Sequence, residues 1–335
     1  MLGKLWSRAK AFFSGLFRKE PPEPGRLEAD KESSFRGLLA TVPWIWPQRE
    51  YLVYIPRGHV DLGHTPLLVL IHGCRQTPEE IAAAIRITAL ADELGCLVLL
   101  PRQNPRANAW GCWNWFDSAT VNGWGETAIV AAQIQAVRRK YRIDAKRVFL
   151  AGMSSGGGLA STLGLRRPDV VAGVFVHSGV GCGVASTPNA AFGVLKSGAD
   201  TDYKGIAREV RARAKLDTLP VPLFVIQGGS DDIVAPVNAS QLVRQYLVLN
   251  NHPAADSGPD DELPPPDRSD AATTPDARVV TTSEWHVAGR LVARHVLVDG
   301  LGHAWSGGDD KYPYNDPHAP DATALLGAFI REGIK

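Results

Sequence analysis

Charge of one sign is what this sequence has least of: 36 lysines and arginines stand against 35 aspartates and glutamates, a net +1. That balance gives no basis for holding nucleic acid or a strongly acidic partner. Cysteine is scarce, at four in 335 residues, and no C-x-x-C pair, H-E-x-x-H string, P-loop or G-x-G-x-x-G fingerprint occurs, so zinc, phosphate and dinucleotide sites lack support. Neither a metal nor another cofactor is expected. No apolar run is long enough to span a bilayer, and the N-terminus lacks the uninterrupted h-region and cleavage site of a standard signal peptide.

What remains is ordinary globular composition, 44% hydrophobic and 21% charged, in a chain long enough to bury about three quarters of its unfolded surface in one domain. That domain is placed at 35–335. Two stretches stand apart from it. Residues 1–20, MLGKLWSRAKAFFSGLFRKE, interleave leucines and aromatics with lysines and arginines as a basic amphipathic helix would, followed by a linker to residue 34. A membrane-surface or partner-docking helix and a poorly ordered tail or unusual export signal are both open for this segment. Residues 251–276 are rich in proline and acid, and are expected to form a disordered, solvated insertion.

Between these, short apolar runs alternate with helix-like ones: YLVYIP, LLVLIHG, CLVLLP, RVFLAGM, VAGVFVHSG, VPLFVIQGG and ARHVLVDG read as strands, with helices near 77–95, 126–142, after residue 154, 236–249 and 321–332. Repeated βα units with continuously apolar strands predict an α/β fold, a mostly parallel sheet covered by helices on both faces. That is the α/β-hydrolase layout.

The stretch FLAGMSSGGG supplies a nucleophile elbow, G-x-S-x-G, between strand and helix, and only Ser154 has glycines at both required distances, Gly152 and Gly156. Centring on Ser155 would put Met153 where a glycine is needed. A serine hydroxyl requires a histidine base oriented by a carboxylate, in the chain order Ser, acid, His. Asp231 and Asp232 follow VPLFVIQGG, and His303 follows the last strand. His72, His177, His286 and His295 also lie near strands and are read as structural. The oxyanion donors are expected to be the backbone amides of Ser155 and Cys74. Ser155 thus contributes its amide rather than its hydroxyl.

HGCRQT (72–77), GCWNWF (111–116), AGMSSGGG (151–158), QGGSDDIV (227–234) and GHAWSGG (302–308) together resemble the polyhydroxybutyrate depolymerase family of esterases, whose relatives include feruloyl and acetylxylan esterases. The resemblance covers roughly residues 50–330 and leaves the N-terminus and the 251–276 stretch unaddressed. It implies that Asp231, last in the family's H-G-x-x-D string, is the triad acid and Asp232 its neighbour. Gln227 stands where the family often has histidine, a change expected to be tolerated. Trp305, Trp113 and Trp115 are candidates for lining the substrate pocket, with core packing the competing reading for the last two. Cys74 and Cys112 belong to loops that should approach the site. They are either bridged, in an oxidising compartment, or two reduced thiols in a cytosolic enzyme. The resemblance favours export, the missing signal peptide the opposite.

The expected activity is a serine carboxylesterase acting on short-chain hydroxyalkanoate-type or related esters through an acyl-enzyme, its partner being a small ester or oligoester. Feruloyl- or acetylxylan-type hydrolysis is the alternative within the fold. A catalytically inactive, membrane-attached binding protein is the alternative from another class. With no second folded domain legible for adhering to a solid, soluble esters are expected to be better substrates than crystalline polymer. Compartment and oligomeric state stay open.

Overall fold

The computed structural model describes residues 24–32, 49–60, 63, 65–213 and 221–334. Ten strands form one sheet: β1 (Arg26–Glu32), β2 (Arg49–Ile55), β3 (Leu67–Ile71), β4 (Leu97–Pro101), β5 (Val148–Met153), β6 (Gly173–His177), β7 (Leu223–Gly228), β8 (Arg268–Thr273), β9 (Val279–Val287) and β10 (Arg290–Val298). Their order is β1-β2-β4-β3-β5-β6-β7-β10-β9-β8. The central run from β4 to β10 is parallel, and the two strands at each flank pair antiparallel. This is the mostly parallel α/β-hydrolase sheet that the apolar runs predict.

Burial on both faces explains why those runs do not alternate with polar residues. Leu67, Val69 and Ile71 of β3 point into one core with Leu150 and Val225, while Leu68 and Leu70 point into the other with Phe149, Phe175 and Phe224. Among the described residues, the covering helices are α1 (Pro78–Ala84), α2 (Ile87–Leu94), α3 (Ser118–Val121), α4 (Gly125–Lys140), α5 (Ser155–Arg166), α6 (Pro188–Ser197), α7 (Gly205–Arg213), α8 (Val237–Leu249) and α9 (Ala322–Gly333). The single helix expected near 77–95 is two, because Arg86 takes a left-handed conformation (φ 55) between them. Helices α6 and α7 carry no strong sequence signal and were not expected.

One boundary expectation is corrected. The linker assigned up to residue 34 contains β1, so the sheet begins at Arg26 rather than after 35. An edge strand needs a backbone partner more than an apolar face, and RLEADKE finds one along β2. Glu28 of β1 is held by Tyr141 (2.7 Å) and Lys140 (3.0 Å), which lower its pKa to about 2 against the opposing effect of burial. The amphipathic segment 1–20 lies outside the described residues.

The 251–276 stretch is structured rather than disordered. Arg244 of α8 is fully buried, and its guanidinium donates to the carbonyls of Ala255, Ser257, Pro259 and Glu262 at 2.5–3.3 Å. Trp285 Nε1 donates to Pro265 O (2.9 Å) and His252 pairs with Asp267 (3.1 Å). Residues 268–273 then form β8. Composition alone misread this segment because its anchors, Arg244 and Trp285, lie outside it.

Candidate active site

Ser154 closes the turn from β5 into α5 at φ 55 and ψ −122, a conformation that L-residues rarely adopt. The elbow is held from several sides. Ser154 N–H donates to His177 O (3.0 Å). A Cβ on Gly156 would lie 2.2 Å from Ile71 O and 2.4 Å from His72 O, and one on Gly152 would lie 2.3 Å from Gly156 O. The two glycines are therefore required for close approach, which is how the G-x-S-x-G spacing becomes a strained turn. The strain leaves Ser154 half-exposed on the wall of a cavity of about 560 Å³.

His303 and Tyr314, its ring edge-on at 6.2 Å, line the same cavity. His303 Nδ1 lies 2.9 Å from Asp231 Oδ2, and Asp231 can only accept, so Nδ1 carries the proton and Nε2 is left basic. Asp231 also receives the amides of Ile233 (3.0 Å) and Val234 (2.8 Å). Burial alone would raise its pKa. The hydrogen bond and charge of His303, the Val234 amide and the Ser178 hydroxyl outweigh burial and hold it below the ordinary aspartate value. Asp232 is exposed, and its carbonyl accepts from Lys196. No hydrogen bond joins Ser154 Oγ to His303 among the described residues. Such contacts are commonly loose where no substrate is bound.

His72 orients the loop opposite. Its Nε2 accepts from Gln103 N–H (3.3 Å), so Nδ1–H donates to Gly73 O (2.8 Å). In a planar trans peptide the Cys74 N–H then points away from His72, and Cys74 lines the cavity. Burial pushes the His72 pKa down to about 4, so the ring stays neutral. Ser155 opens α5, where the first N–H groups have no intrahelical acceptor. Neither the Cys74 nor the Ser155 amide has an acceptor among the described residues. Both can serve an oxyanion.

Cys74 and Cys112 are joined, with sulfurs 2.11 Å apart. The bridge ties the Cys74 loop to the aromatic loop, and the Arg75 N–H donating to Trp110 O (2.8 Å) reinforces it. Because Cys74 is oxidised it has no S–H to give; the Ser155 hydroxyl, 3.4 Å from its sulfur, can only donate there while accepting Trp113 N–H (3.3 Å). The Ser155 side chain is thus committed to the loop. Glu126 braces the same loop from below: it is buried and accepts Asn114 N–H (2.6 Å) and Gln103 Nε2 (2.5 Å). Burial is the largest influence on its carboxyl and raises its pKa despite those donors.

Among sequence families, the model described as "Esterase PHB depolymerase" matches residues 49–258. The chain belongs to that family. The match contains Cys74, Cys112, Ser154 and Asp231, and His303 lies beyond it. Poly(3-hydroxyalkanoate) depolymerase C of Paucimonas lemoignei is 29% identical over 207 residues, 60% of this chain and 49% of its own. Feruloyl esterase B of Neurospora crassa is 30% identical over 114 residues, 34% of this chain and 39% of its own. The chain thus spans about half the length of the depolymerase, or less of the other curated relatives. In fold, an acetyl xylan esterase from Aspergillus awamori aligns with TM-score 0.63 at 18% identity, covering 82% of this chain and 94% of that one.

One pocket expectation is corrected. Trp305 does not line the cavity. It is fully buried, stacked on His177 (5.1 Å), with Nε1 donating to Thr323 Oγ1 (3.1 Å). Two residues beyond His303, the chain has already turned back into the core. Trp113 and Trp115 line the cavity and are buried.

Several contributors were not legible. Gln227 donates to Asp231 Oδ2 (3.3 Å) and Val234 O (2.9 Å), bracing the acid loop. Buried His177 accepts Ser306 N–H at Nε2 (3.3 Å), which directs its Nδ1–H to Ser178 Oγ (3.2 Å), and Ser178 in turn reaches Asp231. The positive φ of Ser178 (49) had no signature in sequence, since serine does not advertise it.

Proposed function

We propose that this protein is a serine carboxylesterase acting on small hydroxyalkanoate-type or related esters. The reading rests above all on one observation: His303, oriented by Asp231 at 2.9 Å, shares a cavity with Ser154 on its strained elbow. Ser154 Oγ attacks the ester carbonyl while His303 Nε2 takes its proton, and Asp231 stabilises the imidazolium that forms. The amides of Cys74 and Ser155 receive the oxyanion, each such donor contributing roughly 3–4 kcal/mol. Collapse expels the alcohol, which takes the proton from His303. Water, deprotonated by the same nitrogen, then attacks the acyl-enzyme and releases the acid and Ser154.

The family and its relatives support an ester substrate, and the cavity, of the size that holds small ligands, supports a soluble one. The Cys74–Cys112 bridge supports an oxidising compartment. Hydrolysis of 4-nitrophenyl butyrate tests the reading. Ser154→Ala should lose about four to six orders of magnitude in kcat, whereas Ser155→Ala keeps its amide and should lose far less. A dead Ser155→Ala with an active Ser154→Ala would overturn the elbow assignment.

A further inference from the structure

Among the described residues, the cavity wall carries one permanent charge, the guanidinium of Arg75, and no carboxylate. Arg75 directly follows the oxyanion donor Cys74 and is exposed at the cavity mouth. Its backbone sits at φ 59, in the left-handed region that residues other than glycine and asparagine seldom take. The Cys74–Cys112 bridge adjoins it, and the Arg75 N–H donates to Trp110 O (2.8 Å). A glycine would fit this backbone without strain, so a long cationic side chain here points to use of the side chain itself.

The guanidinium lies over the ring of Trp110, 4.4 Å from its centre. Stacking occupies the flat face and leaves the N–H edges available in the plane, the edges that bind a carboxylate in two parallel hydrogen bonds. No acidic side chain claims them: Arg75 has no ion-pair partner among the described residues. The cavity is also lined by the apolar side chains of Phe116, Phe192, Leu195 and Ile233. An ester with an alkyl portion and a free carboxylate matches both the apolar lining and the cation.

We propose that Arg75 is a specificity residue for carboxylate-bearing esters, such as the ester of one hydroxy acid on another with its acid end free. This rests on the carboxylesterase reading above and adds a substrate class to it. Trp110 holds the cation in place, and the substrate carboxylate supplies the counter-charge that the protein withholds. Because the pair is exposed, the selectivity is electrostatic and sensitive to salt.

Two matched probe pairs test it: 3-acetoxybutyrate against its methyl ester, with the carboxylate on the leaving alcohol, and mono-4-nitrophenyl glutarate against its methyl ester, with the carboxylate on the acyl side. The readout is the ratio of kcat/KM for the anionic to the neutral member. In at least one pair the ratio should fall about tenfold in Arg75→Gln, chiefly through KM of the anionic member. Arg75→Lys should keep part of it, since an ammonium binds as a point charge without the fork. For the unaltered enzyme the ratio should shrink as salt rises from about 20 mM to about 500 mM, a readout that needs no variant to fold. Equal ratios in both forms for both pairs, or an equal loss on both members of each pair, would overturn the proposal and leave Arg75 a brace for Trp110. Hydrolysis of neither member of either pair by the unaltered enzyme would instead sink the esterase reading, and this proposal with it.

Discussion

Asp231 and Asp232 are adjacent in the chain and unequal in what they touch. Asp231 is buried against His303 and two backbone amides, whereas the side chain of Asp232 is exposed. Asp231→Asn should therefore cost about 10⁴ in kcat, since an amide can donate to Nδ1 and favour the wrong tautomer. Asp232→Asn should be mild, and steady-state kinetics on 4-nitrophenyl butyrate checks the ranking. This distinction was legible in sequence only through the family's H-G-x-x-D spacing, because strand-end position alone left both aspartates open. Ser154 was legible without it, since the need for two glycines follows from backbone contacts that any sharp strand-to-helix turn imposes. Trp305 was misread for a corresponding reason. Proximity in sequence to His303 says nothing about which way the chain turns after it, and here it turns into the core.

At the scale of elements, the central strands were legible because burial on both faces writes an unbroken apolar run. The flanking strands were not: β1 and β8 are exposed and charged, and what makes them strands is the neighbour each pairs with. The segment from 251 to 267 shows the same dependence on a distant partner. Arg244→Met should leave four inward-facing carbonyls without their donor, each costing about 1–3 kcal/mol if it finds no water. The expected outcome is a loss of about 3 kcal/mol or more in urea unfolding, with new proteolytic cleavage between 251 and 267. Unchanged protease resistance would show that the segment holds itself. The bridge between Cys74 and Cys112 closes a loop of sequence separation 38, worth roughly 4 kcal/mol by chain entropy. Cys112→Ser should lower both stability and kcat, because the same bond fixes the loop that carries the Cys74 amide.

The molecule as a whole should be acid-sensitive. Burial lowers the pKa of His72 to about 4, His177 to about 3 and His295 to about 4, against 6.5 for a free side chain. Below pH 6.5 the unfolded chain binds protons there that the folded chain refuses, so stability falls as pH drops toward 4. The slope should approach three protons, ~4 kcal/mol per pH unit near pH 5. Glu126, with its pKa raised by burial, opposes this in part. Urea midpoints between pH 7.5 and pH 4.5 give the slope, and a flat profile would show that these histidines are not held neutral. The central claim, that Ser154 is the nucleophile activated by His303, meets its most direct measurement in covalent labelling of the full chain. A fluorophosphonate probe should leave one adduct by intact mass, mapped by peptide sequencing to Ser154, absent from Ser154→Ala and formed far more slowly in His303→Ala. An adduct mapped to Ser155, or ester hydrolysis undiminished in Ser154→Ala, would contradict the account.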